Sequence, residues 1–497
     1  KQTPWIIDFM RGIVDGSSNK GISISYQEVL AYFVREIKER IYDEKNNDCT
    51  GLVVWGKATK DGSLLFSGSG DHEMHPFETI LIFMPNTGNN FLLSTDTGAG
   101  YHPGMNNKGV VYAHHGSGPY DVNDNSFKNN KGIYQIPTSF KETYGIPANF
   151  ATMNTLRFAN NAEEALKMQL SYNCITKRAM GLWADIYGSA FDIESNDPPA
   201  FRKPGDNGEK DFLYATNTFM IKELMEYEFK DIENKPKYIP GIGFFGTGNS
   251  RSALNISGSD RAAFLWNMLH NYSGEIDLDF LKMMWRLPGN PPDYLTLEEA
   301  DEAFLEKHGA GWNINVATQN NSVVVVGKPD NGDKGLYFVS NGTLCNAASP
   351  FAAGRHSYLV SPTHSFYQLQ LASSPEEITV AAKIRGQYDL YEANLQFSKL
   401  SFWDIPYAPL RKILDKSIIE WRKGYEYLNL GSITKDNDSI FYYSKSLRGF
   451  TRSQALARQV LNVLVPPAEK PEDLGLKKWL GSWGNWMIKP KGGWSNY

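Results

Sequence analysis

The 497-residue chain predicts an α+β fold in which two sheets are sandwiched between helical layers and a mostly helical region is added at the C-terminus. Three observations carry this expectation. Residues 51–115 are dense in short β-type runs, each bounded by Gly, Asn, Asp or Pro. Helical segments follow, and strand-type sequence then returns. From Pro375 onward the apolar spacing is mainly that of helices.

The elements follow in order. Tyr26–Lys45 reads as an amphipathic helix, with Leu30, Phe33, Val34, Ile37 and Ile41 on one stripe and Glu and Arg between them. Strands are expected at Leu52–Trp55, Leu64–Ser67, Thr79–Phe83, Phe91–Ser94 and Val110–Ala113, the first two joined as a hairpin through Lys60-Asp61-Gly62-Ser63. Asn154–Ala159, Ala162–Leu170 and the Ile175–Ala184 region read as helical. A second strand set covers Ala184–Glu194, Phe212–Asn217, Asn313–Ala317, Ser322–Val326 and Leu336–Ser340, with helices at Asp260–Asn271 and Asp277–Trp285 between. Pro375–Tyr391, Tyr407–Asn429 and Thr451–Leu464 form the C-terminal helices, and the Trp-, Gly- and Lys-rich tail beyond Pro466 reads as a surface wrap. The expected organisation is therefore a leader over 1–48, a core over 49–345 and a helical extension over 346–497 packed on the core.

Composition narrows the classes of function. With 41% hydrophobic and 21% charged residues, a globular fold with a substantial core is expected. A net charge of −5 without a block of like charge makes nucleic acid a poor partner. No stretch approaches the ~20 apolar residues of a membrane span. The three cysteines, Cys49, Cys174 and Cys345, cannot build a disulfide framework and show no C-x-x-C spacing. The first residue is Lys1, with no methionine or apolar h-region, which fits a leader already removed as well as a chain that simply starts there. Compartment is not readable, and association into a homo-oligomer is left open.

Cys49 is the most informative residue. It stands between the helical leader and the first strand, in Asn47-Asp48-Cys49-Thr50-Gly51-Leu52. If the Asp48–Cys49 bond is cut, one residue supplies both a thiol and an α-amine. That amine, with a reference pKa of about 7.7–8.0, is a general base for its own thiol near neutral pH. The alternative is a buried structural cysteine, the usual fate of an unpaired thiol. Cys174 and Cys345 lack this context and are expected in the core.

Four segments then fit one family in order: Cys49-Thr50-Gly51-Leu52 leading to Thr59-Lys60-Asp61-Gly62, Met105-Asn106-Asn107-Lys108-Gly109-Val110, Ala215-Thr216-Asn217-Thr218-Phe219, and Gly248-Asn249-Ser250-Arg251. Together they resemble the choloylglycine hydrolase and penicillin acyltransferase group of N-terminal-nucleophile (Ntn) hydrolases, over roughly residues 49–345. The resemblance implies a four-layer αββα sandwich that matures by self-cleavage at Asp48–Cys49. The mature chain would act on linear non-peptide amides (N-acyl amino acids, bile-salt-like conjugates or acyl side chains) through a Cys49 thioester. It implies no cofactor and a small-molecule amide as partner. The open alternatives are acyl transfer to an amine, a lipid or ester hydrolase of the same architecture, and a non-catalytic binding relative.

The implied site has four members. Cys49 is the nucleophile. Asp71, one hairpin away, can orient the α-ammonium or the thiol, the bland alternative being a turn aspartate. Asn217 offers an amide N–H₂ to an oxyanion, the alternative being a strand-end asparagine. Arg251 can hold the Cys49 terminus or a substrate carboxylate, the alternative being a surface arginine. Backbone N–H groups near His115-Gly116 are candidates for a second oxyanion donor. Where many relatives carry Gly-Arg-Asn-x-Asp, this chain has Gly68-Ser69-Gly70-Asp71, keeping the carboxylate but not the arginine. Asp71-His72-Glu73-Met74-His75 has metal-ligand residue types but not the His-Glu-x-x-His spacing, and Pro76 prevents a continuing helix, so no metal is expected.

Overall fold

The computed structural model describes residues 3–31, 48–71, 79–95, 103–115, 146–172, 181–196, 199–216, 219–221, 237–239, 243–245, 262, 265–266, 268–285, 323–341, 366–404, 406–435, 437–468 and 471–476. In chain order they comprise α1 (Pro4–Ser18), β1 (Asp48–Val54), β2 (Leu65–Asp71), β3 (Thr79–Phe83), β4 (Phe91–Thr95), β5 (Gly104–Asn106) and β6 (Val110–His114). Next come α2 (Ala148–Phe158), α3 (Ala162–Ser171), β7 (Gly181–Asp185), β8 (Ala190–Asn196), β9 (Pro199–Arg202) and β10 (Phe212–Ala215). A short ribbon, β11 (Lys237–Ile239) and β12 (Gly243–Phe245), precedes α4 (Leu278–Met284), β13 (Val323–Lys328), β14 (Leu336–Asn341) and β15 (Tyr367–Gln370). Three long helices close the described chain: α5 (Pro375–Phe397), α6 (Tyr407–Ile433) and α7 (Asn437–Leu464).

The fold is α+β, with two antiparallel sheets. The first has the order β10-β1-β2-β13-β14-β15 and the second runs β3-β4-β5-β6-β7-β8-β9. Strand alternation sorts their side chains into three cores. Leu52, Val54, Phe212, Tyr214, Val324 and Val326 of the first sheet pack with α4 and with Leu265, Trp266, Met268, Leu269, Tyr272 and Ile276. Val53, Phe66, Leu213, Val325 and Tyr337 pack instead with Leu92, Val111, Ala113 and Leu182 of the second sheet. On its other face, Phe91, Leu93, Val110, Tyr112 and Trp183 meet Ile6 and Met10 of α1 and the buried faces of α2 and α3. Both faces of β1 and β13 are therefore buried, which is why Leu52-Val53-Val54 and Val323–Val326 are continuous apolar runs rather than alternating ones.

Local chemistry fixes the connections. Gly62 sits at φ +78° in the β1–β2 turn, where Asp61 Oδ1 accepts from the Ser63 N–H at 3.1 Å. Asn161 caps α3 by accepting from Glu164 N at 2.8 Å, and Asp277 caps α4 by accepting from Phe280 N at 2.9 Å. The C-terminal helices bury their own apolar seams, and α6 and α7 cross so closely that a Cβ on Gly449 would lie 2.7 Å from Gly424 Cα.

Several expectations change. Residues 181–184, expected as helix, are strand: β7 pairs with both β6 and β8. Leu182 and Trp183 face opposite cores, so pairing and two-sided burial override helix-compatible composition. Gly181 also takes φ +142°, and a Cβ there would strike the Ala113 carbonyl, a position only glycine fills. The leader, expected to be helical, holds the helix α1 ahead of Tyr26; of Tyr26–Lys45 only residues 26–31 are described, and these are helical. Within 346–497, β15 joins the edge of the first sheet beside β14. Asn313–Ala317 and the tail beyond residue 476 lie outside the described residues.

Candidate active site

Cys49 is the second residue of β1, opposite Gly70 of β2, and is 2% exposed. It forms no disulfide. Two-residue alternation puts it on the same strand face as Gly51 and Val53, the face turned toward the second sheet. That face is cleared by glycine. A Cβ on Gly51 would lie 3.0 Å from Ala113 Cβ and 3.2 Å from Leu182 Cδ1, and one on Gly68 would lie 2.8 Å from Pro103 Cγ. Bare backbone on β1 and β2 lets β6 approach closely just beside Cys49.

The relative direction of these strands locates the rest. Trp55, just past the end of β1, lies 3.3 Å from a Cβ built on Gly188, in the turn that follows Asp185. Asp185 pairs with Val110, the first residue of β6. The end of β1 therefore meets the start of β6, and the two run in opposite senses across the sheet interface. The start of β1 then meets the end of β6. Cys49 and His115 each lie two residues beyond the Gly51–Ala113 approach, toward the same end.

At this end the inter-sheet face changes from apolar to ionic. Leu182 pairs with Asp192, which pairs with Arg202, so both charges share the inward face with Leu182. His115 Nε2 lies 2.6 Å from Asp192 Oδ1, with both side chains fully buried. Arg202 Nε reaches Glu194 Oε1 at 3.0 Å and Asp192 Oδ2 at 3.4 Å, while its Nη groups bond Glu209 and the Tyr214 carbonyl of the first sheet. Glu194 also accepts from Met220 N at 2.8 Å and Ile221 N at 2.9 Å, and Glu209 accepts from Asn207 N at 2.9 Å.

The electrostatics follow from burial and imbalance. Burial opposes ionisation of Asp192, but the charges of His115 and Arg202 and hydrogen bonds from His115 and Glu194 outweigh it and hold the carboxyl below its usual value. Burial and then repulsion from Asp192 push Glu194 well above the usual carboxylate range, against the pull of Arg202. Burial works against the Arg202 charge, yet Glu209, Asp192 and Glu194 raise its pKa further. The two neighbouring carboxyls are thus pushed in opposite directions.

Of the residues expected from the sequence, Cys49 and His115 come to one end. Asp71 lies directly opposite Asp48 in the register, next to Gly70, so the Asp48–Cys49 bond is part of β1. Asn217, Arg251 and Gly116 lie outside the described residues, as do Cys174, Cys345 and the segment 72–75. Among the described residues there is no group of three or more His, Cys, Asp or Glu side chains arranged to hold a metal, and no helix is long and apolar enough to cross a membrane. Asp192, Glu194, Arg202 and Glu209 were not anticipated. Their signal was present in Phe191-Asp192-Ile193-Glu194, where acids alternate with apolar residues; it reads as a strand with one wet face, whereas the second sheet turns that face inward. A thiol and buried titratable groups toward one sheet end are an arrangement that can support acyl-transfer chemistry. The chain matches no protein-family model and no curated protein.

Proposed function

We propose that the chain is an Ntn-type cysteine amidohydrolase with an αββα core, acting on linear non-peptide amides. The observation that carries this reading is the position of Cys49: a buried thiol at the start of a central strand, at the end of two facing antiparallel sheets where the inner face becomes ionic. Helical residues pack on the outer face of each sheet, which supports the layered architecture.

Maturation breaks the Asp48–Cys49 bond and leaves Cys49 with a free α-amine. In turnover the amine takes the thiol proton, and the thiolate attacks the acyl carbonyl. The C–N bond breaks, the leaving amine takes the proton, and water resolves the thioester to a carboxylic acid and the thiol. Asn217 and backbone N–H groups of His115-Gly116 are assigned to the oxyanion, a contribution commonly worth ~3 kcal/mol of barrier. Asp71 orients the α-ammonium, and Arg251 holds the Cys49 terminus or a substrate carboxylate. No cofactor is assigned. An amine in place of water makes the same thioester an acyl donor, and an ester in place of the amide makes the same site a lipid or ester hydrolase.

A new amino terminus at Cys49, read by N-terminal sequencing and intact mass, together with acyl release from a panel of amides and matched esters, tests the reading. Cys49→Ala abolishes both cleavage and turnover if it is right; turnover retained by that variant sinks it. The second reading, a non-catalytic relative that binds a ligand, is favoured by the missing arginine in Gly68-Ser69-Gly70-Asp71. It is supported by an intact chain without acyl release.

A further inference from the structure

Cleavage at Asp48–Cys49 needs a base before any α-amine exists, because the Cys49 nitrogen is then still a peptide nitrogen. His115 is the fully buried histidine at this end. Its Nε2 faces Asp192 Oδ1 at 2.6 Å, and among the described residues its Nδ1 has no hydrogen-bond partner. An ionised carboxylate only accepts, so whenever the ring is neutral its hydrogen is held on Nε2 and Nδ1 presents a lone pair. A buried nitrogen left without a partner carries a desolvation cost that a purely structural histidine would avoid by pairing. The two-position step from the Gly51–Ala113 approach brings this ring and Cys49 to the same end and the same inter-sheet face.

We propose that His115, oriented by Asp192, is the general base that accepts the Cys49 thiol proton in the uncut chain. The assignment rests on the reading of Cys49 as a nucleophile. The thiol S–H bond breaks and an Nδ1–H bond forms, giving a thiolate and an imidazolium. Asp192 balances the imidazolium through Nε2–H. The thiolate adds to the Asp48 carbonyl carbon, the Asp48–Cys49 C–N bond breaks, and the imidazolium proton passes to the Cys49 nitrogen. Water then hydrolyses the thioester, leaving the Asp48 carboxylate and the Cys49 thiol and amine. The titratable groups of the same cluster are Asp192 and Glu194 on β8, Arg202 on β9, and Glu209. His114, the neighbour of His115 in sequence, pairs through Nδ1 with the Tyr112 hydroxyl at 3.1 Å.

The test reads the thiol directly in the full chain. Cys49 alkylation by iodoacetamide is followed against pH in the wild type, His115→Gln and Asp192→Asn, with Cys49→Ala as the blank. His115→Gln keeps a donor for Asp192 but removes Nδ1, so a merely structural histidine would be rescued by it. The expected result is an alkylation midpoint at least one pH unit higher in His115→Gln, about a tenfold slower rate near pH 7, and slower cleavage by intact mass. A wild-type profile in a folded His115→Gln chain overturns the proposal. If the buried thiol resists alkylation, the ¹⁵N signals of the His115 ring decide: they move in Cys49→Ala if the thiol engages Nδ1, and unchanged signals overturn the proposal. A thiol that depends on His115 in a chain releasing no acyl group from amides breaks the functional reading alone. Acyl release with a thiol indifferent to His115 breaks this one alone.

Discussion

Among the described residues, two aspartates are wholly buried beside arginine, and their surroundings differ. Asp389 of α5 meets Arg458 Nη2 at 2.8 Å, Arg385 Nε at 3.3 Å and Gln454 Nε2 at 2.9 Å, and both arginines remain about one-third exposed, at 30% and 32%. One acid is matched by two cations that reach water, and the group staples α5 to α7. Asp192 lies in a sealed cluster with two further acids, one arginine and one histidine. In that set, burial and the charge of Asp192 push Glu194 well above the usual carboxylate range. Perturbed, coupled groups of this kind concentrate at functional sites, whereas a matched, partly wet ion pair has structure as its sufficient explanation.

The largest test of this contrast is removal of the cation on each side. Arg202→Met strips Glu194, Glu209 and Asp192 of their shared partner and should cost about 3–5 kcal/mol in urea denaturation. Arg385→Met leaves Arg458 and Gln454 on Asp389 and should cost about 0–1 kcal/mol. Equal losses would break the comparison.

A smaller effect separates the regions by steric means. Gly51→Ala pushes a methyl against Ala113 and Leu182 and should cost about 1–3 kcal/mol while also altering Cys49 alkylation. Gly449→Ala overpacks the α6–α7 crossing by a comparable amount and should leave Cys49 untouched.

The smallest effect lies in pH. The Glu194 pKa is raised by folding, so its contribution is complete below the unfolded carboxylate value of about 4.3 and is lost as pH rises through the folded value. Asp192 is lowered, so its contribution is present above the unfolded value of about 3.9 and is lost as pH falls through the folded one. Thermal melts of Glu194→Gln should therefore show a flatter decline above pH 4.3 than the wild type. Parallel curves would show that folding does not raise the Glu194 carboxyl pKa.

Much of the fold was legible because pairing and local chemistry agree. Thr79–Phe83 carries its strand signal in five residues, and the β1–β2 hairpin is written in Asp61-Gly62-Ser63. β7 was misread because helix-compatible residues there are governed by two neighbouring strands. The helix α1 is legible, with Pro4 at its first turn and Ile6, Phe9, Met10 and Ile13 at helical spacing, in a leader expected to be helical. The place of Cys49 at the start of a hairpin strand was legible from its neighbours in sequence. The ionic cluster was not, because His115, Asp192, Arg202 and Glu209 meet only through the β6-β7-β8-β9 register and the segment that follows β9, neither of which has a local signature.

One consequence concerns α1. Ile6 and Met10 are buried in the core shared with the second sheet, α2 and α3, and the Trp5 indole donates to Asn154 Oδ1 at 2.8 Å. A break at Asp48–Cys49 therefore would not shed the preceding segment. It would yield a two-polypeptide particle, one band on native gels and two on denaturing gels. The tether would be replaced by ordinary mass action, so its melting temperature would fall on dilution. Before the break, the same particle would melt at a temperature independent of concentration.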